Sequence, residues 1–291
     1  MEICERNACI IRDAYQYLLE KCEGLTAHSL DKYLECPKKD SLNDVFFTVV
    51  CFYNDWYRPK KKRLMYDTEN GAKISEILRN GNFEYMLDTY TDEPQKLYDD
   101  LMNNLNFGAV KEDNYTQRCV KIYVNIICGM SKYLSDFSTP ESLYGYFNEA
   151  RTPREKVKLV HEIVSASKQV HYKYKDRSNR EREEGWGFAL ASNWIKDIGT
   201  ESFCKPDVHV KRFMRELKFT KSSSEEPVFR DFLQMAEEAH SFDPFVTAFK
   251  ADRLAYLIGS GDFYDPEDYG KVKYSGSTAD FAAGEIKKYG I

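Results

Sequence analysis

Residues 184–213 read EGWGFALASNWIKDIGTESFCKPDVHVKRF, and the fold turns on how they are interpreted. Gly185 and Gly187 precede apolar residues at helical spacing, Phe188, Ala191, Ile195 and Ile198, and the pattern stops at Gly199. The spacing predicts a turn, a helix and a glycine stop. Glycine lets the main chain approach a ligand closely, and the first N–H groups of a helix lack an internal partner, so a phosphate oxygen is a natural occupant. After Lys205 and Pro206, Asp207 stands where a second helix should begin, with Val208, Phe213 and Leu217 at helical spacing behind it.

Outward from this stretch the chain also reads as helix. Ile10, Ile11, Ala14, Tyr15, Leu18 and Leu19 form an amphipathic stripe, a short helix follows around 30–34, and Pro37 to Asp40 make a connector. Val45 to Tyr53 is a strand by propensity but a helix by its surroundings, with Asn43 or Asp44 as its cap. Helices are expected over 71–78, 94–105 and 115–134, from Pro140, and from Pro153 through Val170. The acidic segment 88–93 has no assignment, and 171–184 reads as a charged, solvated loop. Beyond 217, Ser222 to Pro227 start another helix, a further one begins near Asp243–Pro244 and stops at Gly259–Gly261, and 275–291 reads as a loosely docked tail.

Across its 291 residues, 42 Lys and Arg against 47 Asp and Glu give a formal charge of −5, so a nucleic-acid surface has to be a local patch. The concentrated basic run is Arg58 to Arg63, containing Lys60, Lys61 and Lys62 beside Trp56 and Tyr57. It is either a phosphate-contacting loop or an ordinary solvated one. Eight cysteines without a Cys-x-x-Cys pair, no secretory leader pattern and no long apolar run predict a soluble, cytoplasmic protein with reduced thiols. Five histidines show no metal-ligand spacing, so no metal is expected.

Gly185, Gly187 and Ala191, followed by Asp207, His209 and Arg212, resemble the pattern of the helix-hairpin-helix DNA glycosylases, Gly-x-Gly-x-x-x-Ala, a helix, a short loop and Asp-x-His-x-x-Arg. The resemblance covers about thirty residues. It implies an all-α protein of two helical lobes with an active-site cleft between them. One lobe is discontinuous, 1–40 plus 203–291; the other, 41–202, carries the hairpin at about 184–199 and an insertion within 58–106. It implies DNA contacts from Gly185, Trp186, Gly187, Phe188, Ala189, His209, Lys211 and Arg212, with Lys60 to Lys62 on the same face. Asn54 and Trp56 become candidates for the wedge that fills the space of an extruded base, and Phe245 and Phe249 for the walls of its pocket, although aromatics at such spacing are more often core. The hairpin carbonyls are a place for a monovalent cation in that family; no other cofactor is implied.

The implied chemistry is cleavage of an N-glycosidic bond in double-stranded DNA by a monomeric enzyme acting at the nucleoid. Positive charge develops on the sugar as the base leaves, and the Asp207 carboxylate would stabilise it and orient water. Some members carry a lysine nucleophile where this chain has Ala189, so hydrolysis without strand scission is expected; Lys196, Lys205 and Lys211 are the neighbouring amines. No cysteine follows Cys204, so the iron–sulfur cluster of other members is not expected. The target, an oxidised or alkylated purine or an enlarged phage cytosine, is left open, as is the choice between repair and antiviral defence. Two other readings stand beside this one: an inactive helix-hairpin-helix DNA-binding protein, and a helical interaction protein in which Asp207 is only a helix cap.

Overall fold

The structure, a computed structural model, describes residues 1–52, 68–108, 111, 114–175, 179–262 and 272–291. It is mostly helical. The helices are α1 (Ile3–Lys21), α2 (Ala27–Tyr33), α3 (Leu42–Phe52), α4 (Thr68–Ile77), α5 (Phe83–Met86), α6 (Pro94–Asn104) and α7 (Asn114–Leu134). They continue with α8 (Pro140–Glu149), α9 (Pro153–Ala166), α10 (Phe188–Asp197), α11 (Val208–Glu216), α12 (Glu225–Phe242), α13 (Ala248–Ser260) and α14 (Thr278–Tyr289). Among the described residues there are also two antiparallel pairs of short strands: β1 (Cys22–Glu23) with β4 (Lys273–Tyr274), and β2 (Tyr174–Lys175) with β3 (Glu181–Arg182).

Contacts between residues divide the chain into two units. The first joins Met1–Lys38, Phe147–Lys158 and Phe188–Ile291. Its helix α1 buries Ile10, Ile11, Ala14 and Leu18 and packs along α12, which buries Val228, Phe229, Phe232 and Leu233. Helix α11 packs on α13 and α14. These bounds differ from the expected 1–40 plus 203–291. Residues 147–158 and 188–202 join the first unit because Phe147 meets Trp194 edge-on at 6.3 Å and Phe188 meets Phe229 at 5.3 Å. Edge contacts of this kind contribute about 0.5–1.5 kcal/mol each beyond the area they bury.

The second unit, Lys39–Tyr146 with Leu159–Gly187, is built on α7, which is buried over most of its length. Helices α3 and α6 pack on it, and the Tyr123 hydroxyl donates to the Val50 carbonyl at 3.0 Å. The 45–53 stretch is a helix, as its surroundings suggested, and its cap is Ser41, whose Oγ accepts from the Asp44 N–H, rather than Asn43 or Asp44. The unassigned acidic segment is a π-helical turn, Leu87–Thr91, continuing α5. Helices α4 to α6 fall inside the expected 58–106 insertion, while 53–67, with Asn54, Trp56, Lys60, Lys61 and Lys62, lies outside the described residues.

Three boundaries need correction. Helix α9 ends at Ala166 rather than Val170. Helix α13 is capped by Thr247 rather than beginning near Asp243, because Asp243 ends α12 and is held by Arg12 in two hydrogen bonds of 2.6 and 3.0 Å. The supposed tail is α14, capped by Ser277. Phe281 lies parallel to Phe213 with ring centroids 5.9 Å apart, and one such aromatic anchor, with Ala282 beside it, docks a segment too sparse in apolar residues to show a pattern.

Where α14 meets α1, Lys288 and the Tyr289 hydroxyl both donate to Asp13, and the buried Glu285 lies beside that carboxylate. Burial, and then the charge of Asp13, push the Glu285 carboxyl up to about 7. The folded chain therefore holds a proton that the unfolded chain releases near pH 4.5, and stability falls as pH rises from about 4.5 to about 7. Glu285→Gln should raise the urea midpoint at pH 8 and leave it nearly unchanged at pH 4.5; an equal effect at both pH values would refute the assignment.

Candidate active site

Asp207 is the N-cap of α11. Pro206 before it fixes its own φ and provides no N–H, which ends the connector from α10 and leaves the helix to start at Val208. The Oδ1 atom of Asp207 accepts from the N–H groups of His209 (2.9 Å) and Val210 (3.0 Å). Its Oδ2 atom is left facing the Lys205 ammonium at 3.7 Å. Both side chains are close to buried, at 10% and 7% exposure, so the carboxylate has one tied oxygen and one oxygen turned to a cation in a sparsely hydrated place. Burial brings the Lys205 amine below the ordinary lysine range, with Asp207 pulling the other way.

The connector that carries this pair is itself fastened. The Lys205 N–H donates to Asp252 Oδ1 at 2.6 Å, and Lys196 Nζ donates to Asp252 Oδ2 at 2.6 Å. One carboxylate on α13 thus binds α10 and the α10–α11 connector together. Lys196 and Asp252 are 7% and 3% exposed in their side chains. Burial opposes the Lys196 charge, but Asp197 and Asp252 outweigh it and hold the amine above its usual value. Arg253 adds a longer contact to Asp197, 3.8 Å, and lies over the rings of Tyr33 and Phe249. Cys204 beside Lys205 is fully buried, and burial pushes its thiol well above the usual value, so it offers no thiolate.

The structure brings Asp207, His209, Lys211 and Arg212 onto one helix. His209 packs edge-on to Tyr256 at 5.2 Å, Lys211 is 3.5 Å from Glu225, and Arg212 is exposed. Phe249 is a core residue rather than a pocket wall: it is fully buried, with Lys196 and Arg253 against its face. Phe245 is half-buried beneath the Arg12 guanidinium, 3.8 Å from its ring centre.

The glycine turn also has a packing role. A Cβ on Gly185 would lie 2.3 Å from Ser167 Oγ and 2.6 Å from the Ser167 carbonyl, so glycine is required there by packing on the end of α9. The Trp186 N–H donates to Ser167 Oγ at 2.9 Å, which uses one of the amides expected to meet phosphate, and its ring is 2% exposed. Phe188 is also core, at 8% exposure. Of the two turn glycines, Gly187 has open space around it. The helices flanking the turn, α9 and α10, are joined by residues 167–187, far longer than a simple hairpin. That stretch closes on itself: Asn125 of α7 donates to the carbonyls of Tyr172 (2.8 Å) and Glu184 (3.0 Å) and accepts from the Tyr172 N–H (2.9 Å), and β2 and β3 pair between them.

Sequence reasoning missed Asp252 and the use of Lys196. The available signal was a lone acid among the apolar residues of α13 and a lone base in the last turn of α10, beside Ile195, opposite charges on faces that had to be buried. Among the described residues, no three His, Cys, Asp or Glu side chains are grouped to hold a metal.

Two outcomes are expected. Asp252→Leu leaves the buried Lys196 with only its 3.6 Å contact to Asp197 and the Lys205 N–H without its acceptor, and should cost about 3 kcal/mol in chemical unfolding; the Lys196→Met/Asp252→Leu double variant should recover the part due to the ion pair, and no recovery would deny the pairing. Gly185→Ala should lower stability by about 1–3 kcal/mol through its clash with Ser167, and an unchanged unfolding midpoint would contradict the packing role. Compared with known proteins, the chain matches no family model, no curated protein and no solved structure.

Proposed function

We propose that this chain is a DNA glycosylase of the helix-hairpin-helix kind, which turns a damaged or modified base out of double-stranded DNA and hydrolyses its N-glycosidic bond. The observation that supports this most is the state of Asp207. Its Oδ1 is fixed by two N–H groups of α11, so the side chain cannot swing away, while Oδ2 is directed at a buried amine. A carboxylate held this way would meet the positive charge that grows on the sugar as the base departs, in surroundings where little water screens it. Oδ2 would also orient the attacking water. Lys205, 3.7 Å from Oδ2 and with its proton affinity lowered by burial, is the neighbouring amine. Removal of damaged bases and removal of modified bases from phage DNA use the same bond cleavage.

A second reading is supported by one observation: the two bonds to His209 and Val210 are also those of an ordinary helix cap, as an inactive DNA-binding protein would have. Asp207→Asn separates the two, because the amide oxygen still accepts both N–H groups while the charge is lost. Released bases from modified duplexes and phage DNAs are identified by mass spectrometry. The variant should keep its unfolding midpoint within about 1 kcal/mol of stability and lose at least about 100-fold in rate. Equal rates, or no base released by the native chain, would reject the catalytic reading. Borohydride added during turnover should trap no adduct, since Ala189 replaces the lysine nucleophile. An adduct on Lys205 would overturn hydrolysis by water.

A further inference from the structure

Helix α14 is held to its neighbours in two different ways. Its first turns are docked by apolar surface: Phe281 lies parallel to Phe213 of α11 and edge-on to Tyr17 of α1 at 5.2 Å, with Ala282 buried beside it. Beyond Ala282 the buried side chain of the helix is Glu285, 7% exposed, at a place where an amphipathic helix ordinarily carries an apolar residue. Next to it, Lys288 and the Tyr289 hydroxyl, which donates at 2.6 Å, both reach Asp13 of α1. Burial opposes the Asp13 charge, but those bonds outweigh it and keep its carboxyl below the usual range, so Asp13 is the anion of the pair and Glu285 the acid. Glu285 Oε2 is buried and has no hydrogen-bond partner among the described residues. The charges that act on Glu285 are Asp13 from α1 and Lys288 from its own helix; α11 and α13, which also pack on α14, add none among the described residues.

We propose that the second half of α14 is a pH-operated latch on α11, closed while Glu285 carries a proton and released when it ionises. Closed, the set Asp13, Glu285 and Lys288 has no net charge. Ionisation leaves two carboxylates to one ammonium, one of them buried, and carboxylates side by side repel. No buried apolar side chain of α14 beyond Ala282 opposes the release. The docked carboxyl is pushed up to about 7 from an ordinary 4.5, so each pH unit between those values makes release about tenfold more frequent, and above about 7 the gain levels off. Release reaches α11 because Lys218, just past its end, donates to the Ile291 carbonyl at 2.9 Å, and because Phe281 covers Phe213. Helix α11 starts at Asp207, so the latch sets how firmly the helix bearing that carboxylate is held. An effect on base release rests on the glycosylase reading; the latch itself does not.

The test is amide hydrogen exchange followed by mass spectrometry from about pH 5 to about pH 8.5, corrected for intrinsic exchange rates, on the native chain and on Glu285→Gln. Residues 283–291 of the native chain should lose roughly 50-fold in protection between about pH 5 and about pH 7.5 and then level off. Residues 213–220 at the end of α11 should follow them, and α12 should not. In Glu285→Gln, whose amide has no proton to release in this range, 283–291 should stay level throughout. Circular dichroism establishes that the variant is folded, and the levelling above about 7 is read on the native chain alone. Level protection of 283–291 in the native chain, the same fall in the variant, or an equal fall in α12, which would mean opening of the whole unit, would overturn the latch. A fall in 283–291 without one in 213–220 would overturn its hold on α11. Base release measured in parallel keeps the readings apart: release with level exchange rejects the latch alone, and the expected exchange with no base released rejects the glycosylase reading alone.

Discussion

The carboxylate of Asp252 is the constraint on which the candidate site depends. It takes the ammonium of Lys196 on one oxygen and the N–H of Lys205 on the other. Burying two charges is costly, and such a pair persists only when its geometry is good and its other polar groups are satisfied. Here it has a local consequence. Residues between α10 and α11 have little regular structure of their own, and this link, with Phe203 in the aromatic core against Phe147 and Phe229, fixes where α11 starts. Asp207 is aimed because the connector before it cannot shift.

Helix α11 then divides its duties by face. Its apolar side is held by α13 and by the parallel rings of Phe213 and Phe281, its first turn is closed by Asp207, and its outer side is left to charges. The anchoring on α14 is why a short C-terminal segment matters to a site far away in sequence. Phe281 packs on the helix that carries the carboxylate, and Asp13, Lys288 and Tyr289 hold α14 against α1. The proton held by Glu285 is a cost of closing that contact around two carboxyl groups.

The turn at 185–187 shows how one residue type can satisfy two different requirements. Glycine is permissive toward ligands and toward neighbouring backbone alike. Gly185 is needed because the chain returns to the end of α9, where Ser167 occupies the space of a side chain, while Gly187 has no such neighbour. The intervening excursion is tied down by Asn125, a buried amide whose donors and acceptor are used on the main chain at both of its ends. A motif defined by glycine spacing cannot tell these uses apart.

By itself the sequence determined the helical class, most helix spans and the cap at Asp207, because apolar spacing, capping residues and prolines act over one or two turns. Gly199 was also legible as a stop: its φ of +123° and its approach to the Pro37 carbonyl both call for glycine. Tertiary structure decided the rest. Whether Trp186, Phe188 and Phe249 are surface or core, which glycine meets a neighbour, and that Asp252 joins Lys196 to Lys205 all depend on segments tens of residues apart. Docking of α14 belongs here too, since one ring provides most of its apolar anchor and leaves no periodic trace. The physical reason is range: helix propensity is set by neighbours along the chain, whereas burial and charge pairing are set by whichever surface the folded chain brings opposite.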